Sequence, residues 1–288
     1  MTIAAPYLTQ ENIDHFISEA LAEDIGPGDY TSLSAVPNEA SSTAILKIKD
    51  DGIIAGLDLA MHIFKKVDPK LVIHFFKKDG ESVRSGEIAF EVNGNARSIL
   101  GAERLVLNCM QRMSGVATKT QHLQQLIAHT KTKLLDTRKT SPNSRLIEKW
   151  AVLIGGGKNH RFALYDMIML KDNHVDYAGG ISKALQNAKK YLTTNQLDLK
   201  IEIETRNLEE VKEVLSTGLA DVIMLDNFSL ENTRLALELI NGSVITEASG
   251  NVTENTIVGI AETGVDYISV GALTYSYKSL DLSLKAVV

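Results

Sequence analysis

Apolar positions change their rhythm twice along this chain. Residues 10–24 carry Ile13, Phe16, Ile17, Ala20 and Leu21 at helical spacing. The run stops at Ile25-Gly26-Pro27-Gly28-Asp29, a helix-breaking cluster. Segments 43–49, 52–55, 72–77 and 88–92 alternate or run apolar, with turns expected at Asp50-Asp51-Gly52, Lys78-Asp79-Gly80 and Asn93-Gly94. A short helix is predicted over 61–67. These elements predict an antiparallel α+β domain. A long amphipathic helix over 100–126 follows, with an interruption expected at Ser114-Gly115.

After Lys131 the pattern becomes one of short apolar runs separated by helical stretches. Strands are predicted at 133–136, 167–170, 200–203, 222–225, 244–246 and 267–270, and helices at 145–153, 182–192, 207–216, 229–240 and 253–262. The later strands recur at about 22 residues, a plausible step for a βα barrel unit. Gly218 and Gly264 follow helices, where a terminating glycine belongs. Six strands fall short of an eight-fold barrel, and an open doubly wound sheet also fits the count. An incomplete parallel α/β barrel is preferred because nearly every strand ends in polar residues, whereas an open sheet uses mainly its switch point. The expected division is an N-terminal α+β sandwich over 1–115, a barrel over 116–275, and a segment 276–288 returning to the first domain.

The strand ends carry the candidate chemistry. The first ends in Asp136-Thr137-Arg138-Lys139 and the second in Lys171-Asp172-Asn173, with Lys158, His160 and Arg161 between them. Arg138, Lys139, Lys158, Arg161 and Lys171, with His160 among them, fall within about forty residues of a chain of net charge −6. Later strands end in Glu202 or Glu204 and in Asp226, and the last two in Ser249-Gly250-Asn251 and Ser269-Val270-Gly271-Ala272. Arginine grips carboxylate or phosphate through paired hydrogen bonds. Paired acids beside phosphate hold Mg²⁺, and glycines before helices let backbone N–H groups approach phosphate. The ligands implied are a phosphorylated, Mg-dependent substrate and a carboxylate-bearing one. Alternation puts Glu202 and Glu204 on one face, opposite Ile201 and Ile203. Asp226 could instead cap the next helix. Gly155-Gly156-Gly157-Lys158 lacks the spacing and the following Ser/Thr of a P-loop. His122 and His174 receive no role.

Bulk properties narrow the class. The acidic balance argues against nucleic acid as a partner. No apolar run approaches the roughly 18 residues of a membrane span, and the first residues lack the pattern of a signal peptide. The single cysteine, Cys109, excludes an internal disulfide and reads as a packed core thiol. The cytoplasm is the expected compartment.

Several segments together resemble the quinolinate phosphoribosyltransferase family, also called nicotinate-nucleotide pyrophosphorylase (carboxylating). They are AEDIGPGDYTS (22–32), AERLVLNCMQRMSGVATKT (102–120), LDTRKTSPNSR (135–145), AVLIGGGKNHRFALYDMIMLKDNHV (151–175), IEIET (201–205), DVIMLDNFS (221–229), EASGN (247–251) and GVDYISVGALTYS (264–276). The resemblance implies an open-faced α/β sandwich followed by an incomplete α/β barrel. It implies a homodimer in which one subunit covers the partner's barrel and donates Arg104. Arg104, Thr137, Arg138, His160 and Arg161 correspond to quinolinate-binding positions. Lys139, Lys171, Ser249, Gly250, Asn251, Val270, Gly271 and Ala272 correspond to positions binding phosphoribosyl pyrophosphate. Glu202 and Asp226 correspond to the Mg²⁺ acids, directly or through water, and with Lys139 and Lys171 form the expected catalytic set. The family reaction joins quinolinate to phosphoribosyl pyrophosphate, with release of CO₂ and pyrophosphate. Two departures are visible: Pro142-Asn143-Ser144-Arg145 replaces the usual Pro-Gly-Leu-Arg, and Thr274-Tyr275-Ser276 replaces Thr-His-Ser. A Schiff-base lyase using Lys171 and a non-catalytic sensor of the same ligands remain alternatives from the residues alone.

Overall fold

The computed structural model describes residues 5–287. In chain order its strands are β1 (Ser41–Ile48), β2 (Gly52–Ile53), β3 (Val72–Phe75), β4 (Ser82–Val83), β5 (Ile88–Asn95), β6 (Lys133–Leu135), β7 (Ile168–Leu170), β8 (Ile201–Thr205), β9 (Val222–Asp226), β10 (Ile245–Ser249), β11 (Tyr267–Ser269) and β12 (Leu282–Val287). They belong to two compact units. The first comprises residues 5–121, 140–156 and 272–287, and the second residues 122–139 and 157–271.

In the first unit a four-stranded antiparallel sheet runs in the order β12-β1-β5-β3. Alternation along β1 sends Ala44, Leu46 and Ile48 into the core. The helix Leu57–Val67 buries Leu59, Ile63 and Phe64, and the Phe64 ring meets Phe90 of β5 edge-on at 5.7 Å. Each such fully buried side chain stabilises by roughly 1.5–3 kcal/mol. The expected turn at Asn93-Gly94 is absent: β5 continues through both residues, which pair with Thr43 and Ser42. Gly94 serves a close approach instead, since a Cβ there would lie 2.7 Å from Leu71 Cδ2.

The helix Ala96–Leu126 is likewise unbroken at Ser114-Gly115. Ser114 Oγ accepts the Ala55 N–H at 2.9 Å and donates to the Ala55 carbonyl at 3.3 Å. Gly115 makes room for the Lys278 carbonyl and the Tyr277 ring. Residues 140–156, which the sequence pattern placed within 116–275, lie with the first unit. There Arg112 donates to Ser141 Oγ at 2.8 Å and pairs with the buried Glu148 carboxylate. Burial pushes the Cys109 thiol up to about 12, so it stays an unreactive core group.

The second unit is a six-stranded parallel sheet in the order β6-β11-β10-β9-β8-β7. Its first strand, β6, pairs with its last, β11. That wrap-around belongs to a barrel; a doubly wound sheet reverses strand order at a switch point instead. The gap falls between β6 and β7. Ile201, Ile203, Ile223 and Leu225 pack outward against Ala184, Leu185, Val211 and Val214 of the flanking helices. The opposite face of each strand therefore points inward. Asn207 and Ser229 cap the next two helices by accepting the Glu210 and Asn232 N–H groups. Among the described residues no helix is long and apolar enough to cross a membrane.

The crowding at Gly115 is testable. Alanine favours a helix interior by about 1 kcal/mol over glycine. A Cβ at Gly115 would nevertheless sit 2.9 Å from the Tyr277 ring as well as against the Lys278 backbone. Gly115→Ala should cost about 1–3 kcal/mol net. Gly101→Ala on the same helix, where the nearest atom is Ile25 Cδ1 at 3.9 Å, should be neutral or stabilising. Thermal unfolding separates the two, and similar midpoints for both variants would refute the crowding.

Candidate active site

Parallel strands bring their C-terminal ends to one mouth, and in the second unit the polar residues collect there. At the end of β6 the chain is reinforced by a parallel bridge between Leu135 and Lys158. Lys158 N donates to the Leu134 carbonyl at 2.8 Å, and Asp136 N to the Lys158 carbonyl at 3.1 Å. This lays Asn159 and His160 beside the strand end. The buried Asp136 carboxylate holds them, accepting from Asn159 Nδ2 at 2.6 Å and from His160 N at 2.9 Å.

His160 then reaches inward. Its Nε2 lies 2.7 Å from Glu202 Oε2 and 3.6 Å from Glu247 Oε2, and its Nδ1 accepts the Arg161 N–H at 2.8 Å. The side chains of His160, Glu202 and Glu247 are 7%, 1% and 2% exposed. Burial first, and then the charge of Glu202, push Glu247 up to about 8. Arg161 is half-buried; one terminal nitrogen donates to the Met167 carbonyl at 3.2 Å, while its buried Nε finds no protein partner. Burial and the nearby Arg138 charge both hold Arg161 below the ordinary guanidinium range. Glu202 and Asp166 act on it in the opposite sense.

A second group lies nearer the surface. Lys171, at the end of β7, is half-exposed, and its Nζ pairs with Glu204 Oε2 at 3.3 Å. Glu204 is raised by burial, lowered by Lys171 and raised again by the neighbouring negative charge of Asp226. The two acids with Lys171 are therefore Glu204 and Asp226. Glu202, expected to hold a metal, is committed to His160 instead, because it lies one pair of residues deeper on the same strand face. Lys171 also starts the helix Asp172–Ala178, and its N–H donates to His174 Nδ1 at 3.0 Å, which gives that histidine a capping role.

The ends of β9 and β10 are knitted together. Asn227 Nδ2 donates to Asp226 Oδ2 at 2.7 Å, its backbone N–H donates to the Ser249 carbonyl at 2.8 Å, and its Oδ1 accepts from Asn251 Nδ2 at 3.0 Å. Gly250 has φ +95° and lies against the Asn227 side chain, with no room for a Cβ. Ser269 of β11 hydrogen-bonds Glu247. The next residue, Val270, donates its N–H to the Leu135 carbonyl at 2.9 Å, and Gly271 follows at the strand end. Thr137 Oγ1 accepts the Lys139 N–H at 3.0 Å, leaving the Lys139 side chain exposed. Arg104 and Ala272 belong to the first unit, with Arg104 exposed on the helix Ala96–Leu126. Sequence reasoning gave no site role to Asp136, Asn227 or Glu247; each lies beside a residue it did single out, and only the fold shows the bond. A separate cavity of about 770 Å³ at the N-terminal strand ends is lined by Lys131, Asp221 and Asp266. Those charges are already engaged, by Lys131–Asp266 at 3.3 Å and by Asp221 with Ile201 N at 2.7 Å.

The sequence model of the quinolinate phosphoribosyl transferase C-terminal domain matches residues 116–285, and that of the N-terminal domain residues 29–114. The chain belongs to the quinolinate phosphoribosyltransferase family. It is 50% identical over 282 residues to the mitochondrial quinolinate phosphoribosyltransferase [decarboxylating] 2b of Nicotiana tabacum, covering 92% of this chain and 80% of that one. It is 41% identical over 272 residues to the probable nicotinate-nucleotide pyrophosphorylase [carboxylating] of Bacillus subtilis, covering 94% and 91%. Among solved structures, the nicotinate-nucleotide pyrophosphorylase of Francisella tularensis superposes with a TM-score of 0.90 at 41% identity, with 100% of both chains covered. Of the two departures from the family pattern, Asn143 takes φ +60°, a left-handed conformation that suits glycine or asparagine. Tyr275 is 63% exposed.

The buried acid pair has a consequence for stability. Glu247 has a folded value near 8 against an ordinary 4.5, so the native state holds a proton that the unfolded chain has lost between those two points. Its contribution is complete below about pH 4.5 and is lost as pH rises toward about 8. Glu247→Gln removes this titration while keeping the shape. Its melting temperature should rise above that of the unaltered protein by a growing margin from pH 5 to 8, and the two should converge in acid. Parallel melting curves over that range would contradict the assignment.

Proposed function

We propose that this protein transfers the phosphoribosyl group of phosphoribosyl pyrophosphate to quinolinate, releasing CO₂ and pyrophosphate and forming nicotinate mononucleotide. The observation that carries the reading is the half-buried Arg161 guanidinium, whose Nε is buried and unpartnered and whose charge is opposed by burial and Arg138 and favoured by Glu202 and Asp166. A dicarboxylate supplies opposite charge and acceptors for paired guanidinium bonds. Names borne by relatives covering nearly the whole chain point to the same chemistry.

Arg138 and Arg161 clamp the carboxylates, so the pyridine nitrogen is aimed at the ribosyl C1; orientation of this kind contributes up to roughly 7–11 kcal/mol. The nitrogen bonds to C1 as the C1–O bond breaks, and the electron pair leaves with pyrophosphate. Lys139 and Lys171 face the charge that builds on it. As CO₂ departs, the electron pair of the C–CO₂ bond stays on the ring carbon, where the adjacent positive nitrogen stabilises it, and a proton then bonds to that carbon. Ser249, Gly250, Asn251, Val270, Gly271 and Ala272 belong, in this reading, to the phosphate grip.

Mg²⁺ fits the acids at the rim. Glu204 and Asp226 repel one another beside Lys171, and a hard cation with oxygen ligands relieves that repulsion. Glu204 and Asp226, rather than Glu202, would therefore hold it, directly or through water. When bound it neutralises pyrophosphate oxygens. The protein acts as a homodimer in this reading, with the exposed Arg104 donated to the partner's substrate, and it works in the cytoplasm, where the buried Cys109 stays reduced. An imine-forming role for Lys171 is disfavoured, since a half-exposed lysine paired with a carboxylate is not desolvated.

Release of labelled CO₂ from carboxyl-labelled quinolinate should require both Mg²⁺ and phosphoribosyl pyrophosphate. Nicotinate leaves a guanidinium unpaired, and its kcat/KM should be at least ~10²-fold lower; comparable use of both acids would overturn the reading. Lys171→Ala should lower kcat by about 10²–10³. Asp226→Asn should raise the Mg²⁺ concentration needed for half-maximal rate, whereas an unchanged requirement would remove Asp226 from the metal site.

A further inference from the structure

Between Arg161 and the start of β7 the chain passes through residues 162–167 without helix or strand. Leu164 and Tyr165 at the tip of this segment are 68% and 73% exposed. A surface loop of this kind is ordinarily mobile. Here one side chain closes it. Asp166 Oδ2 accepts the Phe162 N–H at 2.6 Å, and Oδ1 accepts the Ala163 N–H at 2.8 Å. Hydrogen bonds to a carboxylate are the stronger kind, and two of them bring residue 166 back against residue 162. The effect falls on the residues at the base of the loop. Arg161 precedes Phe162 and Met167 follows Asp166, so closure brings Arg161 and Met167 together. There a terminal nitrogen of Arg161 donates to the Met167 carbonyl at 3.2 Å. The Arg161 N–H is held by His160 Nδ1 at 2.8 Å, and the Ile168 N–H is anchored on the Lys200 carbonyl at 3.0 Å. Arg161 is thus fixed at its backbone and at one end of its guanidinium, while Nε stays buried without a protein partner. The Asp166 charge also favours the charged guanidinium. Asp166 itself is exposed and has no part in the reaction above.

We propose that Asp166 is a positioning residue: by accepting the Phe162 and Ala163 N–H groups it closes the 162–166 loop, holds the Met167 carbonyl against the Arg161 guanidinium, and so presets that guanidinium for a substrate carboxylate. The effect on substrate rests on the quinolinate reading; the loop closure does not. With the loop open, Arg161 has to be ordered when quinolinate binds, and that cost weakens binding. Once bound, the substrate meets the same guanidinium, so the chemical step changes little.

Two readouts separate these levels. The first is hydrogen–deuterium exchange of the ligand-free, full-length protein, read by mass spectrometry on overlapping peptides across residues 158–168. Asp166→Ala should make the Phe162 and Ala163 amides exchange at least tenfold faster. Asp166→Asn keeps a single acceptor oxygen and should give an intermediate result. The second readout is steady-state kinetics. Asp166→Ala should raise the quinolinate KM at least tenfold, with kcat and the KM for phosphoribosyl pyrophosphate each changed less than threefold, and Asp166→Asn should again fall between. Unchanged exchange at Phe162 and Ala163 in the alanine variant would overturn the proposal. So would faster exchange with a quinolinate KM within threefold of the unaltered protein, since the carboxylate would then be only a turn former. A rise of both KM values by the same factor would overturn it too, because general loosening of the fold does not single out one substrate. If Asp166→Ala fails to fold, Asp166→Asn carries both readouts. Absence of any turnover with quinolinate would sink the reading of function and leave the exchange measurement as the test of the loop closure.

Discussion

The bond between His160 and Glu202 is the interaction around which the mouth of the second unit is arranged. Glu202 lies inside a parallel sheet, where a bare carboxylate would cost several kcal/mol. Its compensation comes from a segment that is not part of a long strand. Residues 157–161 are tied to the end of β6 through the Leu135–Lys158 bridge and the Asp136 carboxylate. Moving that segment away would take from two buried acids, Asp136 and Glu202, the bonds that Asn159 and His160 make to them. The segment is thus tied to the strand end by backbone and side-chain bonds, and Arg161, its last residue, is placed without a strand of its own.

Depth sorts the charges in this mouth. Asp136, His160, Glu202 and Glu247 lie below the surface, joined through His160, with Glu202 Oε1 and Glu247 Oε1 left without partners. Arg161 occupies an intermediate level, with part of its guanidinium used by Met167 and part left for a ligand. Lys171 and Asp226 lie nearer the rim, with Glu204, mostly buried, just beneath them. Groups that must stay fixed are thus placed where polar interactions are strong, and groups that must bind and release are placed where they are weaker. A polyanionic product would leave from the outer layer without disturbing the inner one.

Much of this was legible in the sequence, and the misses share a cause. Helix and strand periodicity located the elements of both units, because each buries one face. Strand parity placed Glu202 and Glu204 on the same inward face, opposite Ile201 and Ile203. Parity carries no information on depth, so it could not say which acid meets water; the partner that decides, His160, is more than forty residues away in the chain. Asn93-Gly94 and Ser114-Gly115 read as interruptions because glycine and serine break elements locally. In the fold both pairs answer tertiary neighbours, Leu71 in one case and Ala55 with Lys278 in the other. The helix Asp172–Ala178 went unpredicted because it buries only Val175 and so leaves almost no periodic trace.

Asparagine recurs where the backbone turns left-handed near the mouth. Asn227 and Asn251 have φ of 55° and 50°. Glycine would adopt these angles with less strain, so the side chains must contribute something glycine cannot. Asn227 supplies it: its amide donates to Asp226 Oδ2 and its carbonyl oxygen accepts from Asn251. One oxygen of Asp226 is thereby anchored within the protein. Gly250 completes the arrangement by leaving the space that the Asn227 side chain occupies. The orientation of an acid at the end of β9 is thus set by a turn after β10, which ties the geometry at one strand end to its neighbour.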